Sequence, residues 1–107
     1  MTDVVLVLTT VGDESASETI ARTLVEERLA ACVNVHAPMV SFYRWKGTVE
    51  RDGERQLAIK TTRARLPELR ARVQALHPYQ LPELIVLAAD DGSAEYLDWV
   101  RTETEPA

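Results

Sequence analysis

Five consecutive apolar residues, Val4-Val5-Leu6-Val7-Leu8, form the first block of the hydrophobic pattern, closed by Thr9, Thr10 and Gly12. A short β-branched run of this kind predicts a central strand buried on both faces. The spacing then changes. Ile20, Ala21, Leu24, Val25 and Leu29 fall on one helical face, and Ser15 and Glu18 stand three apart at its start. At that separation each side chain satisfies the other residue's backbone N–H as a capping box.

From Cys32 to Val35 the chain is strand-like again, Pro38 interrupts it, and Val40 to Trp45 resumes with aromatic strand formers up to Lys46-Gly47. The pattern predicts one long bent strand, bulged near Pro38, because proline offers no ladder donor. Arg51-Asp52-Gly53-Glu54 carries the Asp-Gly hairpin signal; Leu57, Ile59 and Thr61 then alternate with Gln56, Ala58 and Lys60 as a third, antiparallel strand. Leu66, Leu69, Val73 and Leu76 make the stripe of a second helix, with Pro67 tolerable in its first turn and Pro78 as its stop. Leu84 to Ala88 is a second continuous apolar run, and Asp91-Gly92-Ser93 turns it into a closing helix bearing Tyr96, Leu97, Trp99 and Val100.

The resulting order, β-α-β-β-α-β and then α, places two βαβ halves in one sheet, with both right-handed crossovers laying their helices on the same face. The expectation is an α+β ferredoxin-like sandwich with an additional C-terminal helix, one domain over residues 1–107. No repeat, linker or low-complexity segment interrupts it.

Size and charge narrow the picture. With 107 residues, 46% of them hydrophobic, one core forms without disulfides or structural metal, yet so short a chain buries only about two thirds of its unfolded surface. Large apolar residues left over therefore point to subunit contacts, and Met39, Phe42, Tyr43 and Trp45 crowd one hairpin arm. A net charge of -5 argues against a phosphate-binding surface, so nucleic acid is not an expected partner. The single cysteine, Cys32, forms no internal disulfide, and Met1-Thr2-Asp3 puts no positive region before the first apolar run, which is too short for a signal or a membrane span. These features favour the cytoplasm and no membrane.

Candidate chemistry is sparse. A thiolate with imidazole suits copper or zinc better than magnesium or calcium, which singles out Cys32 and His77, although a lone cysteine is also an ordinary small core residue. Cys32 and His36 are four apart, about 13 Å along a strand, so one chain does not chelate an ion with that pair. A metal site using either residue borrows ligands from elsewhere in the fold or from another subunit. His77, just before Pro78, either meets the last carbonyls of the preceding helix or joins Tyr79 and Glu83 at a cleft mouth. Lys60 projects from the sheet face opposite Ile59 and Thr61, either solvated, facing a small anionic ligand, or paired with Glu50 or Glu83. Arg63, Arg65, Arg70 and Arg72 flank an apolar stripe and read as a solvated helix face. The four glycines are scattered and each reads as a turn; no glycine-rich phosphate loop and no nucleophile-His-acid order stands out.

Three blocks carry a family resemblance: Arg28-Leu29-Ala30-Ala31-Cys32-Val33-Asn34, Tyr43-Arg44-Trp45-Lys46-Gly47, and His77-Pro78-Tyr79-Gln80-Leu81-Pro82-Glu83-Leu84-Ile85, with Lys60-Thr61 and Tyr96-Leu97-Asp98-Trp99 in keeping. The chain resembles the divalent-cation tolerance (CutA-type) proteins over almost its whole length. It departs from their pattern at Gln80 and Leu76, which thins any metal site around His77. The resemblance implies a homotrimer in which the long hairpin of one subunit pairs with its neighbour's sheet, a link to tolerance of divalent metals, notably copper, no obligatory cofactor and no established reaction. The expected function is a trimeric metal-responsive protein, not an enzyme, binding copper or another divalent ion weakly through His77 and Cys32 near subunit clefts. The alternative is a trimeric sensing module like the PII-type regulators, with Tyr43, Trp45, Lys60, Tyr79, Glu83 and Trp99 around a small anionic ligand or a protein partner.

Overall fold

The computed structural model describes residues 2–106. Strand β1 spans Val4–Val11 and helix α1 Glu14–Glu26; β2 (Cys32–Val35), β3 (Met39–Trp45) and β4 (Thr48–Thr62) follow. A 3-10 turn, Arg63–Arg65, leads into α2 (Leu66–Leu76), then β5 (Ile85–Ala88) and α3 (Ala94–Glu103). The strands form one antiparallel sheet in the order β2-β4-β1-β5, and β3 pairs with the outer half of β4. The α+β ferredoxin-like order expected from the pattern is the order observed.

Alternation along the two central strands sorts the faces. Val5, Val7 and Val11 of β1 and Leu57 and Ile59 of β4 are fully buried against Ile20, Leu24, Leu69 and Val73 of the two crossover helices. Truncating such a leucine to alanine typically costs about 2–5 kcal/mol through lost transfer energy and the cavity left. The opposite face is covered at one end only, where α3 packs Leu97 and Val100 on Val4 and Ala31. Arg28 holds that helix in place, its Nε and Nη2 donating to the carbonyls of Glu105 and Thr102 at 2.7 and 2.8 Å.

Four local expectations are corrected. Helix α1 is capped by Asp13, whose carboxylate accepts from the Ser15 N–H at 2.9 Å, instead of by a Ser15–Glu18 box. The long second strand is two strands: His36 to Pro38 lie opposite only Arg55 and Gln56, so one extra residue separates β2 from β3. The expected bulge is there, and it ends one strand and begins another. The hairpin turn is Lys46-Gly47, both at positive φ (50° and 82°), as a type I′ turn requires. Asp52-Gly53 is no turn; both residues lie in the ladder, opposite Ser41 and Val40. Finally, the apolar run at β5 is an edge strand whose Ile85 and Leu87 are about half exposed in the single chain.

These corrections share a consequence. β4 runs 15 residues without a break, and its outer half with β3 leaves the body as a two-stranded arm, giving the molecule extents of 44 × 26 × 23 Å.

Candidate functional site

The segment 77–84 between α2 and β5 has no regular structure of its own, because Pro78 and Pro82 withhold backbone donors. Side chains hold it instead. His77, only 7% exposed, places Nε2 2.8 Å from the Thr10 carbonyl, and its Nδ1 accepts from the Tyr79 N–H at 3.1 Å. Those partners require the Nε2–H tautomer, with the proton given to β1. The rings of His77 and Tyr79 lie 4.7 Å apart, and the Tyr79 hydroxyl continues to β4, donating to Glu54 Oε2 at 2.7 Å. Gly12 makes room for that hydroxyl: a Cβ there would sit 2.7 Å from the phenol oxygen.

Between this segment and the arm lies a cavity of about 1020 Å³. Register places it on the sheet face turned away from α1 and α2. Lys60 pairs with Leu6 and Ala58 with Leu8, so Gln56, Glu54 and Asp52, at two-residue steps along β4, continue the same face out onto the arm. The extra residue between β2 and β3 brings Met39, Ser41, Tyr43 and Trp45 onto that face as well, opposite Glu54, Asp52, Glu50 and Thr48.

The cavity is acidic and aromatic. Asp52, Glu54 and Glu83 line it, no Lys, Arg or His does, and among the described residues none of these carboxylates joins a salt bridge. Two phenols stand in for counter-ions. The Tyr43 hydroxyl donates to Asp52, and that hydrogen bond beside an anion pushes its own pKa up to about 12. Burial first, and the bond to Glu54 second, lift the Tyr79 phenol well above the ordinary phenol range. Glu83 has no such donor: its Oε2 is shut off from solvent without a hydrogen bond, and burial, with the Glu54 charge nearby, raises its carboxyl above the usual carboxylate range.

Of the expected site residues, Tyr43, Trp45, Tyr79 and Glu83 converge on this cavity. His77 does not line it; its backbone N–H caps α2 on the Val73 carbonyl, as a residue at the helix end was expected to, while its ring turns away to the Thr10 carbonyl and the Tyr79 N–H. Lys60 is engaged by Asn34 Oδ1 instead of Glu50 or Glu83. Trp99 lies on α3, stacked at 5.5 Å on Tyr96, away from the cavity. Cys32 pairs with Lys60, whereas Thr10, the residue His77 holds, pairs with Gln56, four residues or about 13 Å along β4. The two soft donors are therefore apart within one chain, and among the described residues no three His, Cys, Asp or Glu side chains are grouped to hold a metal ion. Of the four arginines expected on a solvated face, Arg63 and Arg70 are exposed and Arg72 pairs with Glu27, but Arg65, in the 3-10 turn, is buried at 7% exposure and pairs with Glu68. Asp52, Glu54 and Gly12 were missed, since the run from Arg51 to Arg55 reads as a charged turn; the two-residue step of Glu50, Asp52 and Glu54 in phase with Ala58 was the signal available.

Comparison with known proteins agrees with this architecture. The family model described as CutA1 divalent ion tolerance protein matches residues 5–103. The divalent-cation tolerance protein CutA of Thermus thermophilus is 52% identical over 99 residues, 92% of this chain and 96% of that protein. The human Protein CutA is 44% identical over 96 residues; the match covers 90% of this chain and 54% of the human protein, so the chain spans about half of that relative. Solved structures of the T. thermophilus protein (TM-score 0.93, 50% identity, 95% of this chain and 99% of that one) and of CutA from Xylella fastidiosa (TM-score 0.94, 45% identity, 97% and 100%) superpose on it. The T. thermophilus protein is named for divalent-cation tolerance and not for a reaction. Matched over nearly its full length in sequence and in fold, the chain belongs to the CutA1 divalent ion tolerance family.

Proposed function

We propose that the protein works as a homotrimer in tolerance of divalent metal ions, copper among them, holding the ion weakly where subunits meet and catalysing no reaction. Family membership across residues 5–103 is the observation that carries the metal link. The assembly is supported by the uncovered sheet face. Leu6 and Leu8 of β1, half-buried, stand in register with the half-exposed Leu87 and Ile85 of β5, and this apolar strip continues into the aromatic arm; among the described residues α3 covers only the Val4–Ala31 end of the face. Covering such a strip removes apolar surface from water and so favours association.

Because Cys32 and His77 are apart within one chain, the ion's ligands come from more than one subunit. His77 serves as a ligand only by giving up the Thr10 or Tyr79 bond, which keeps its affinity modest.

Calorimetric titration of copper and zinc into the wild type, Cys32→Ser and His77→Ala tests the reading, with sedimentation of each sample alongside. Weaker copper binding by Cys32→Ser in an intact trimer is the expected result. Three superimposable isotherms would remove both residues from any site, and a stable monomer at micromolar concentration would remove the assembly.

A further inference from the structure

Strand β4 changes partners at one point along its length. Inward of that point it is flanked by β1, whose last pair is Val11 with Arg55, and by β2, whose last pair is Val35 with Leu57. Outward it has β3 alone, beginning at the pair Met39 with Glu54. β3 reaches the body only through His36 to Pro38, where the His36 N–H still donates to the Gln56 carbonyl at 2.9 Å. The arm is therefore joined to the body at Glu54 and Arg55 by β4 and one short link, and a two-stranded ribbon resists bending and twisting less than a wider sheet.

Successive side chains on a strand point to opposite faces, and at this junction both are tied to the body. Glu54, buried, accepts the Tyr79 hydroxyl at 2.7 Å on the face turned from α1 and α2, and Tyr79 is held in turn by His77. Arg55 lies on the helix face. Its Nη2 is 3.2 Å from Oε1 of Glu14 in the first turn of α1, and its Nη1 donates to the His36 carbonyl at 3.3 Å. The two ties differ in kind: one is a hydrogen bond to a buried carboxylate, the other an ion pair whose Glu14 side chain is 69% exposed, weak and screened by salt.

We infer that Glu54 and Arg55 form a hinge at which the arm tilts against the sheet, governed by two opposed braces. Tyr79 draws the arm toward segment 77–84, and Glu14 draws it toward the helices. Because only the second brace is an exposed ion pair, ionic strength moves the balance, and rising salt tilts the arm away from α1. The hinge lies within one chain and goes beyond the assembly and the ion link proposed above.

The distance between spin labels on Thr19→Cys, exposed on α1, and Val49→Cys, exposed on the arm in phase with Arg55, reads the tilt in a Cys32→Ser background. Labelled chain is refolded with an excess of unlabelled chain, so that each particle carries one labelled copy in any state of association. Tyr79→Phe is expected to shorten the mean distance by about 2 Å, the displacement of a tilt of about 5° over the strand from Arg55 to Val49, and Arg55→Met to lengthen it. Raising sodium chloride from about 0.05 M to about 1 M should lengthen it in the otherwise unaltered chain and leave Arg55→Met unchanged. Glu14→Gln, a surface substitution, repeats the Arg55 test should Arg55→Met fail to fold. Ile59→Val loosens the core without touching either brace and should leave the distance as it is. No shift in Tyr79→Phe and Glu14→Gln, shifts of one sign in both, or an equal shift in Ile59→Val would each overturn the hinge. Sedimentation of the same samples keeps the readings apart: a monomer refutes the trimer alone, whereas unchanged distances in an intact trimer refute the hinge alone.

Discussion

Tyr79 gives its phenolic hydrogen to Oε2 of Glu54 across 2.7 Å, joining a segment without regular structure to the strand that runs into the arm. Replacing Tyr79 by phenylalanine keeps the ring against His77 and leaves a buried carboxylate without its donor. Loss of about 1–3 kcal/mol in urea unfolding at pH 7 is the expected outcome. An unchanged midpoint and slope would mean that water serves Glu54 equally well.

Gly12 and the same hydroxyl compete for one volume, since a Cβ at residue 12 would come within 2.7 Å of it. Gly12→Ala should therefore destabilise by about 1 kcal/mol in the wild type and by much less in the Tyr79→Phe background, where the oxygen is gone. A double-mutant cycle reads the difference. Additive effects would place the cost of the methyl group elsewhere.

The Glu83 carboxyl is raised from the ordinary 4.5 by burial and then by the Glu54 charge. With the folded value above the unfolded one, its contribution to stability is complete below the unfolded pKa and is lost as pH rises through the folded value. Glu83→Gln, which keeps the neutral shape, should melt a few degrees above the wild type at pH 7 and coincide with it near about pH 3. A variant that melts lower at pH 7 would mean the ionised carboxylate has a partner in solution.

Leu87 is 46% exposed in the single chain, on the strip that assembly would cover. Leu87→Glu should leave the fold of one chain intact and raise the dissociation constant of the trimer about a hundredfold or more, because the charge would be buried between subunits. Trp45→Ala should act in the same direction. Either variant sedimenting as a full trimer at nanomolar concentration would argue that the strip lies outside the interface.

Much of the architecture was legible from periodicity alone, and the failures have physical causes. The stripes of α1 and α2 and the alternation at Leu57, Ile59 and Thr61 announced a core that the structure fills with Ile20, Leu24, Leu69 and Val73, although Val25 of the α1 stripe turns out 42% exposed. The Asp52-Gly53 pair misled because a dipeptide reports only what a turn tolerates, whereas β3 supplies partners that keep both residues extended. Lys46-Gly47 takes the turn, with both residues at positive φ. The run at β5 read as a buried strand because its residues suit burial; as an edge strand it leaves Ile85 and Leu87 about half exposed in the single chain. At the site, Tyr43, Trp45, Tyr79 and Glu83 were visible as residue types that suit a cleft. Glu54 was not, since nothing local distinguishes a buried glutamate in a charged run from a solvated one.

The unbroken course of β4 gives the arm a mechanical property. From Leu57, clamped in the core, to Thr48 at the tip is about 30 Å of continuous strand, so a change in sheet twist of about 5° at the base swings the tip by roughly 2–3 Å. Glu54 sits near the fulcrum and is tethered through Tyr79 and His77 to the end of α2. Whatever loosens or tightens that tether is amplified along the lever before it reaches a neighbouring molecule.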